Sequence, residues 1–175
     1  MSYTDMTTSF NYKTHIIWTD YDALAENAKV HYDALNNVML SAYRAGVQNH
    51  PTSFTKLAYD TEDFDTHSDY DNALYTFTPS VAGKYLIIAM DTYNGAVGNP
   101  EMWQLMIFKN SGTSSQYSRF NLTLAAETTF NVVSIFDANG STDYFQIYAQ
   151  RSFDRTTLGG ATNNHFMAIR LPSSN

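Results

Sequence analysis

The stretch LYTFTPSVAGKYLIIAMDTY, residues 74–93, decides the fold. It contains two apolar runs, Leu74–Thr78 and Gly83–Tyr93, whose aromatic and β-branched residues favour pleated strands. Pro79 lies between the runs, and proline interrupts a strand because it has no N–H to donate to the ladder. The stretch therefore predicts two strands separated by a turn.

The same pattern continues on both sides of this stretch. From Ser53 onward, turn signals such as Asn139-Gly140 and Gly159-Gly160 interrupt apolar alternation about every eight to twelve residues, the spacing of an antiparallel sandwich. The predicted strands are Phe54–Asp60, Leu74–Thr78, Gly83–Tyr93, Met102–Lys109, Gln116–Thr123, Thr128–Phe136, Asp143–Arg151 and His165–Leu171. Eight strands suit an all-β jelly roll.

Before His50-Pro51 the pattern differs, so we divide the chain into an N-terminal segment, residues 1–50, and a sandwich, residues 51–175. Apolar residues from Leu24 to Met39 recur at three- and four-residue steps, which predicts an amphipathic helix preceded by an extended aromatic arm. Either the helix packs on its own sandwich, or arm and helix dock on a partner. The docking candidates are Phe10, Tyr12, Ile16, Ile17, Trp18, Leu24, Ala28 and Leu35.

Composition narrows the function classes. The formal net charge of -7 would repel both a phosphate backbone and an anionic lipid surface, so no nucleic-acid partner is expected. No apolar stretch approaches the length of a membrane span, and the first ten residues lack the pattern of a secretion signal. The chain has no cysteine, which excludes disulfides and thiolate metal sites.

Little in the sequence indicates catalysis. Residues 60–71 are rich in carboxylates that calcium accepts, but acidic loops are more often solvated turns, and we expect no essential metal or cofactor. His67 lies between Asp65 and Asp69, an arrangement that serves either a general base or a hydrated loop histidine. Without a nucleophile elbow or a phosphate-binding glycine loop, we expect that the protein is not an enzyme.

Two loops could bind a sugar, because aromatic rings stack on sugar faces and amides bond hydroxyl groups. The candidate residues are Tyr93, Trp103, Arg155 and Asn163. The alternative for Trp103 is a buried anchor within its strand.

Several motifs occur in the order in which one family presents them. Tyr70-Asp71, Phe77-Thr78-Pro79, Gly83 and Tyr85 resemble the opening strands of the complement C1q and tumour-necrosis-factor family. Lys109-Asn110-Ser111-Gly112 is similar to a lysine-asparagine-glycine turn of that family, and residues 165–172 resemble its closing strand. The resemblance spans residues 53–172.

The resemblance implies a jelly-roll sandwich that assembles as a homotrimer. The strands alternate imperfectly, so an apolar outer face is expected to be covered by assembly. The candidate trimer-interface residues are Tyr75, Phe77, Tyr85, Phe145, Tyr148 and Phe166.

With the aromatic arm, these features favour an accessory structural protein of a tailed bacteriophage, made in the host cytoplasm and present in the virion. It would form a knob on capsid or tail, attached to another virion protein through residues 1–50 and able to contact a host-surface glycan or protein. The alternative is a secreted carbohydrate- or receptor-binding module.

Overall fold

The computed structural model describes residues 24–29, 37–93, 100–111, 114–122 and 127–172. The chain divides into two compact units, residues 1–37 and residues 38–175. In the first unit, residues 24–29 form a short helix whose side chains are all exposed. No helix within the described ranges has the length and apolarity needed to cross a bilayer.

The second unit is built from strands. In the described residues these are β1 (Met39–Tyr43), β2 (Gln48–His50), β3 (Thr55–Lys56), β4 (Thr61–Asp65), β5 (Tyr70–Asp71), β6 (Thr76–Phe77), β7 (Gly83–Tyr93), β8 (Glu101–Lys109), β9 (Ser114–Leu122), β10 (Thr128–Ala138), β11 (Phe145–Arg151), β12 (Arg155–Thr157) and β13 (His165–Arg170). The prediction of an all-β antiparallel chain is confirmed.

The strands form two sheets, which we call sheet A and sheet B. Sheet A has the order β2-β12-β7-β13-β1-β4, with β10 paired to the other side of β7. Sheet B has the order β5-β6-β11-β8-β9, with β3 paired to β11. The chain crosses repeatedly from one sheet to the other, as from β7 to β8 and from β9 to β10, which is how a jelly roll closes two sheets around one core.

Strand β7 lies in the interior of sheet A and pairs with β10 on one side and with β13 and β12 on the other. All eleven of its residues pair with β10, from Gly83 opposite Ala138 to Tyr93 opposite Thr128. Tyr85, Ile87 and Ala89 are buried between the sheets, so Leu86, Ile88 and Met90 face outward. Both faces of this strand are therefore apolar, as the consecutive Leu-Ile-Ile sequence indicates.

The core is filled by aromatic rings from both sheets. Phe77 contacts Tyr85 and Phe166, with ring centroids 5.8 and 6.3 Å apart, and Phe145 lies 6.4 Å from Phe77. All four side chains are 0% exposed. Our placement of Phe77, Tyr85, Phe145 and Phe166 in a trimer interface is therefore wrong: they point into the space between the sheets.

The boundary of the sandwich also differs from the prediction. Residues 39–43, which we assigned to the N-terminal segment at the end of the predicted helix, form β1, which pairs with β13 and β4. Residues 48–50 form β2, so the sandwich unit starts at Val38 instead of residue 51. The apolar residues of Met39–Tyr43 fit a strand as well as a helix over so short a run, and pairing with β13 decides between them.

Candidate functional site

The outer face of sheet A carries a continuous aliphatic surface, which we call the aliphatic face. Ile88 of β7 pairs with Val133 of β10 on one side and Met167 of β13 on the other. Leu86 pairs in the same way with Ile135 and Ile169. Directly paired residues share one side of a sheet, so these six side chains lie together.

The aliphatic face extends to the far edge of sheet A. Met39 of β1 pairs with Ile169, and Phe64 of β4 pairs with Ser41. Met39, Phe64, Leu86, Ile88 and their neighbours line a shallow depression of about 270 Å³. Phe64, Val133 and Ile135 are about half exposed, at 49%, 54% and 55%. A surface of this kind usually marks an interaction site.

Polar groups lie at the ends of the aliphatic face. Asp63 Oδ2 accepts a hydrogen bond from Ser41 Oγ at 2.9 Å and lies 3.0 Å from His165 Nε2. At the other end Lys84 Nζ contacts Asp137 Oδ1 at 2.8 Å. An apolar centre with a polar rim is the usual anatomy of a protein–protein interface.

A second feature is a buried charge network at the end of the sandwich where β7, β11 and the chain after β1 meet. Arg44 and Arg151 both bind the Asp91 carboxylate, at 2.9 and 2.6 Å, and all three side chains are 2% exposed. Arg44 Nη2 also donates to Thr157 Oγ1 at 2.6 Å and to the Leu158 carbonyl at 2.8 Å. The network joins sheet A to sheet B.

His50 lies against this network with its Nε2 3.0 Å from Thr157 Oγ1. Burial lowers the pKa of His50 to about 4, and the cations Arg151 and Arg44 lower it further, whereas Asp91 acts in the opposite direction. The imidazole is therefore neutral at pH 7. Burial likewise lowers the pKa of Arg151 to about 10, opposed by Asp91.

The proposed sugar-binding residues do not form one exposed site. Tyr93 and Trp103 are buried, and Trp103 packs 4.5 Å from Tyr93 and 4.9 Å from Phe130. Arg155 binds the buried Glu101, and Asn163 donates to the Gly159 carbonyl at 2.7 Å. Of the two interpretations of Trp103, the structure supports the buried anchor, because its indole fills the end of the core.

In the acidic segment, residues 60–71, carboxylates accept hydrogen bonds from nearby backbone amides. Asp65 accepts from the amides of His67 and Tyr70, and Asp71 accepts from those of Ala73 and Leu74. Residues 61–65 form β4. Among the described residues, no three carboxylates or histidines are grouped so that they could hold a metal ion. Carboxylates that bond to turn amides do not point toward a common centre where a metal ion could bind.

The remaining interface candidates lie elsewhere. Tyr148 is on the outer face of sheet B, where its ring stacks on Phe108 at 4.7 Å, and Phe54 lies 6.1 Å from Phe108. Tyr75 occupies a turn with a φ of 51°. Of the attachment candidates, Leu24 and Ala28 are exposed on the helix, and the others, Phe10, Tyr12, Ile16, Ile17, Trp18 and Leu35, lie outside the described residues.

Sequence reasoning missed the residues of the aliphatic face. The signal was present in Leu86-Ile87-Ile88, because three consecutive apolar residues in a strand place apolar groups on both faces. The charge network gave no comparable signal, since Arg44, Asp91 and Arg151 are far apart in the chain.

No family model matches this chain, and no curated protein matches it in sequence. Solved structures do match. The globular domain of zebrafish complement 1qA is 11% identical with a TM-score of 0.61, over 79% of this chain and 99% of that one. Murine APRIL is 9% identical with a TM-score of 0.58, over 77% and 99%. Eiger TNF from S. frugiperda is 9% identical with a TM-score of 0.53, over 79% and 95%.

These likenesses define the class of fold. The second unit is a jelly-roll sandwich of the C1q and tumour-necrosis-factor type, and its two sheets are the ones described above. The fold that the motifs of residues 53–172 imply is thereby confirmed. At such low identity, the likeness is one of fold.

Proposed function

We propose that this protein is a homotrimeric accessory structural protein of a tailed bacteriophage, in which the aliphatic face is the surface that joins the three copies. The observation that carries the assembly in this proposal is the aliphatic face, which presents Leu86, Ile88, Val133, Ile135 and Ile169 to water in a single copy. Removing such a surface from water contributes roughly 25 cal/mol per Å² of apolar area. Assembly of like copies covers it without requiring another gene product.

The subunit mass in solution tests the assembly. We expect about 59 kDa by light scattering at micromolar concentration, three times the 19.7 kDa of one chain. Val133→Glu places a charge on the aliphatic face and should yield monomers, because an unpaired charge resists burial. Val47→Glu is the matched control, since Val47 is 69% exposed outside that face. A wild-type monomer would exclude the assembly, and a trimeric Val133→Glu variant would place the interface elsewhere.

The attachment role is assigned to the residues before Val38. The first unit has its own boundary, and its sequence carries the aromatic arm. A knob of this kind does not have to catalyse a reaction, and we propose that the protein is not an enzyme. We also propose that it is made in the host cytoplasm and resides in the virion.

Binding experiments with and without residues 1–37 test this role. We expect the full chain to bind purified phage heads or tails in a fixed ratio. The chain without residues 1–37 should lose that binding but remain a trimer. Saturable binding to heads would indicate a capsid knob, whereas binding to tails or host cells would indicate an adsorption role. Equal binding by both proteins would contradict attachment through this segment.

A ligand-binding module is the second candidate, and it rests on the rings of Phe54, Phe108 and Tyr148 on the outer face of sheet B. Gln146, whose amide donates to Thr76 Oγ1 at 2.8 Å, lies beside them. Rings that are at least partly exposed beside amide groups can bind sugars or proteins. Glycan-array binding that Phe54→Ala abolishes would favour this candidate over the purely structural one.

A further inference from the structure

The buried charge network holds more positive than negative charge. Arg44 and Arg151 share one carboxylate, that of Asp91, and all three groups are 2% exposed. The neighbouring His50 is fully buried and does not supply a negative charge in any state. Among the described residues, two guanidinium cations and one carboxylate leave an excess of one positive charge in a region from which water is mostly excluded. Such an excess is costly unless a counter-ion is present.

The two arginines differ in how many of their guanidinium nitrogens have a hydrogen-bond acceptor. Arg44 makes bonds from Nε, Nη1 and Nη2, including those to the Gly46 carbonyl at 3.1 Å and to Gln48 Oε1 at 3.3 Å. Arg151 uses only Nη2, which binds Asp91, and its Nε and Nη1 have no partner among the described residues. Buried guanidinium N–H groups almost always find an acceptor.

Trp103 adds a third unused donor. Its ring centroid lies 3.9 Å from Arg151 Cζ, and its buried indole Nε1 has no acceptor in the described part of the chain. Arg151 and Trp103 line a small cavity of about 10 Å³, together with Asp91, Gln104, Phe130 and Ala149. The cavity has room for one particle close to the size of a water molecule. Polyatomic anions such as sulfate or phosphate do not fit.

We propose that this cavity binds one monatomic anion, a halide such as chloride, as the counter-ion of the arginine pair. Among the described residues, the polar atoms of the lining that have no partner belong to Arg151 and Trp103, and all of them are hydrogen-bond donors. A monatomic anion can accept hydrogen bonds from every direction. A water molecule would accept from these donors too, but it would leave the excess positive charge unbalanced. Chloride is slightly larger than water, so we expect the side chains that line the cavity to move apart slightly when it binds.

The site is independent of the proposed assembly, because it lies between the sheets and the aliphatic face lies outside them. An ion that binds only the folded state stabilises it by mass action. With chloride at ten times its dissociation constant, the folded population gains about elevenfold, which raises Tm by roughly 3–6 °C for a chain of this size.

Thermal unfolding in sodium chloride against sodium gluconate at equal ionic strength tests the proposal in solution. We expect a higher Tm in chloride for the wild type, and a smaller chloride increment for Trp103→Phe, which keeps a ring and removes the Nε1 donor. Leu74→Ala, at a 60% exposed position outside both the charge network and the aliphatic face, is the control and should keep the full increment. Equal increments in all three proteins would overturn the proposal.

A second measurement uses the unmodified protein and does not depend on how the variants fold. Crystals grown in chloride should show an anomalous difference peak at long wavelength within hydrogen-bonding distance of Arg151 Nη1 or Nε. A position there that scatters like water and gives no anomalous peak at saturating chloride would overturn the proposal.

Discussion

Replacing Asp91 with asparagine should destabilise the protein more than any other substitution of a single carboxylate that the described structure contains. The change keeps the size of the side chain and removes the charge that Arg44 and Arg151 share at 2.9 and 2.6 Å. Both cations would stay buried without a carboxylate. Breaking a buried pair by removing one partner typically costs about 3–5 kcal/mol, and here one carboxylate serves two cations, so we expect the upper part of that range.

The exposed pair of Lys84 and Asp137 supplies the matched control. Its N–O distance of 2.8 Å lies between those of the two buried pairs, but its side chains are 63% and 76% exposed. Water already solvates both charges, so Asp137→Asn should cost well under 1 kcal/mol. The two variants therefore differ in burial and not in the length of the broken contact.

Equilibrium unfolding in urea, at one protein concentration for all variants, measures the difference because assembly contributes to the apparent free energy. We expect the Asp91→Asn midpoint to fall far below that of the wild type, and the Asp137→Asn midpoint to stay close to it. A loss below about 1 kcal/mol for Asp91→Asn would show that the network is hydrated, and the argument from burial would fail.

Three further outcomes are expected. The pKa of His50 is about 4 in the folded protein and about 6.5 in the unfolded chain, so this group's contribution to stability is complete above pH 6.5 and is lost progressively as the pH falls from 6.5 to 4. Between pH 7 and pH 5 the loss from this group is about 2 kcal/mol, and urea unfolding of His50→Gln should lack it. Gly140→Ala should lower Tm markedly, because φ is +72° and the new Cβ would clash with the backbone nitrogen of Ala82, whereas Gly46→Ala, with nothing within 4 Å, should change it little. Phe77→Ala should cost about 3–5 kcal/mol in chemical unfolding and Phe54→Ala less than about 1, since Phe77 is 0% and Phe54 53% exposed; equal losses would contradict the placement of Phe77 in the core.

Much of the fold was predictable because, along most of the sandwich, the local pattern of apolar and turn residues favours the strands that the structure contains. Strand β7 has the bounds that its alternating residues and flanking turn predict. The short strands were harder. Residues 39–43 carry an apolar pattern that fits either secondary structure, and only pairing with β13 makes them a strand. Pairing partners distant in sequence are not visible in a local pattern.

The candidate site was less predictable, for a related reason. The sequence indicated that some strands are apolar on both faces and that one face would need covering, but it did not indicate which one. A shift of one residue in register exchanges the two faces of a strand. We therefore assigned the largest side chains, such as Phe77 and Phe145, to the interface, and the structure places them inside.

The sizes of these side chains account for the arrangement. Two stacked sheets lie about 10 Å apart, and the space between them is filled at near-crystalline density, which favours long aromatic side chains that reach across. Tyr85 and Phe166 fill that space, whereas their strand neighbours Leu86 and Met167 are shorter and face outward. In β7 and β13, whose residues are apolar on both sides, the aromatic residues thus lie inside, and the aliphatic residues of opposite parity form the surface available for assembly. Applied to β7, this rule selects Leu86 and Ile88, the two residues at the centre of the aliphatic face.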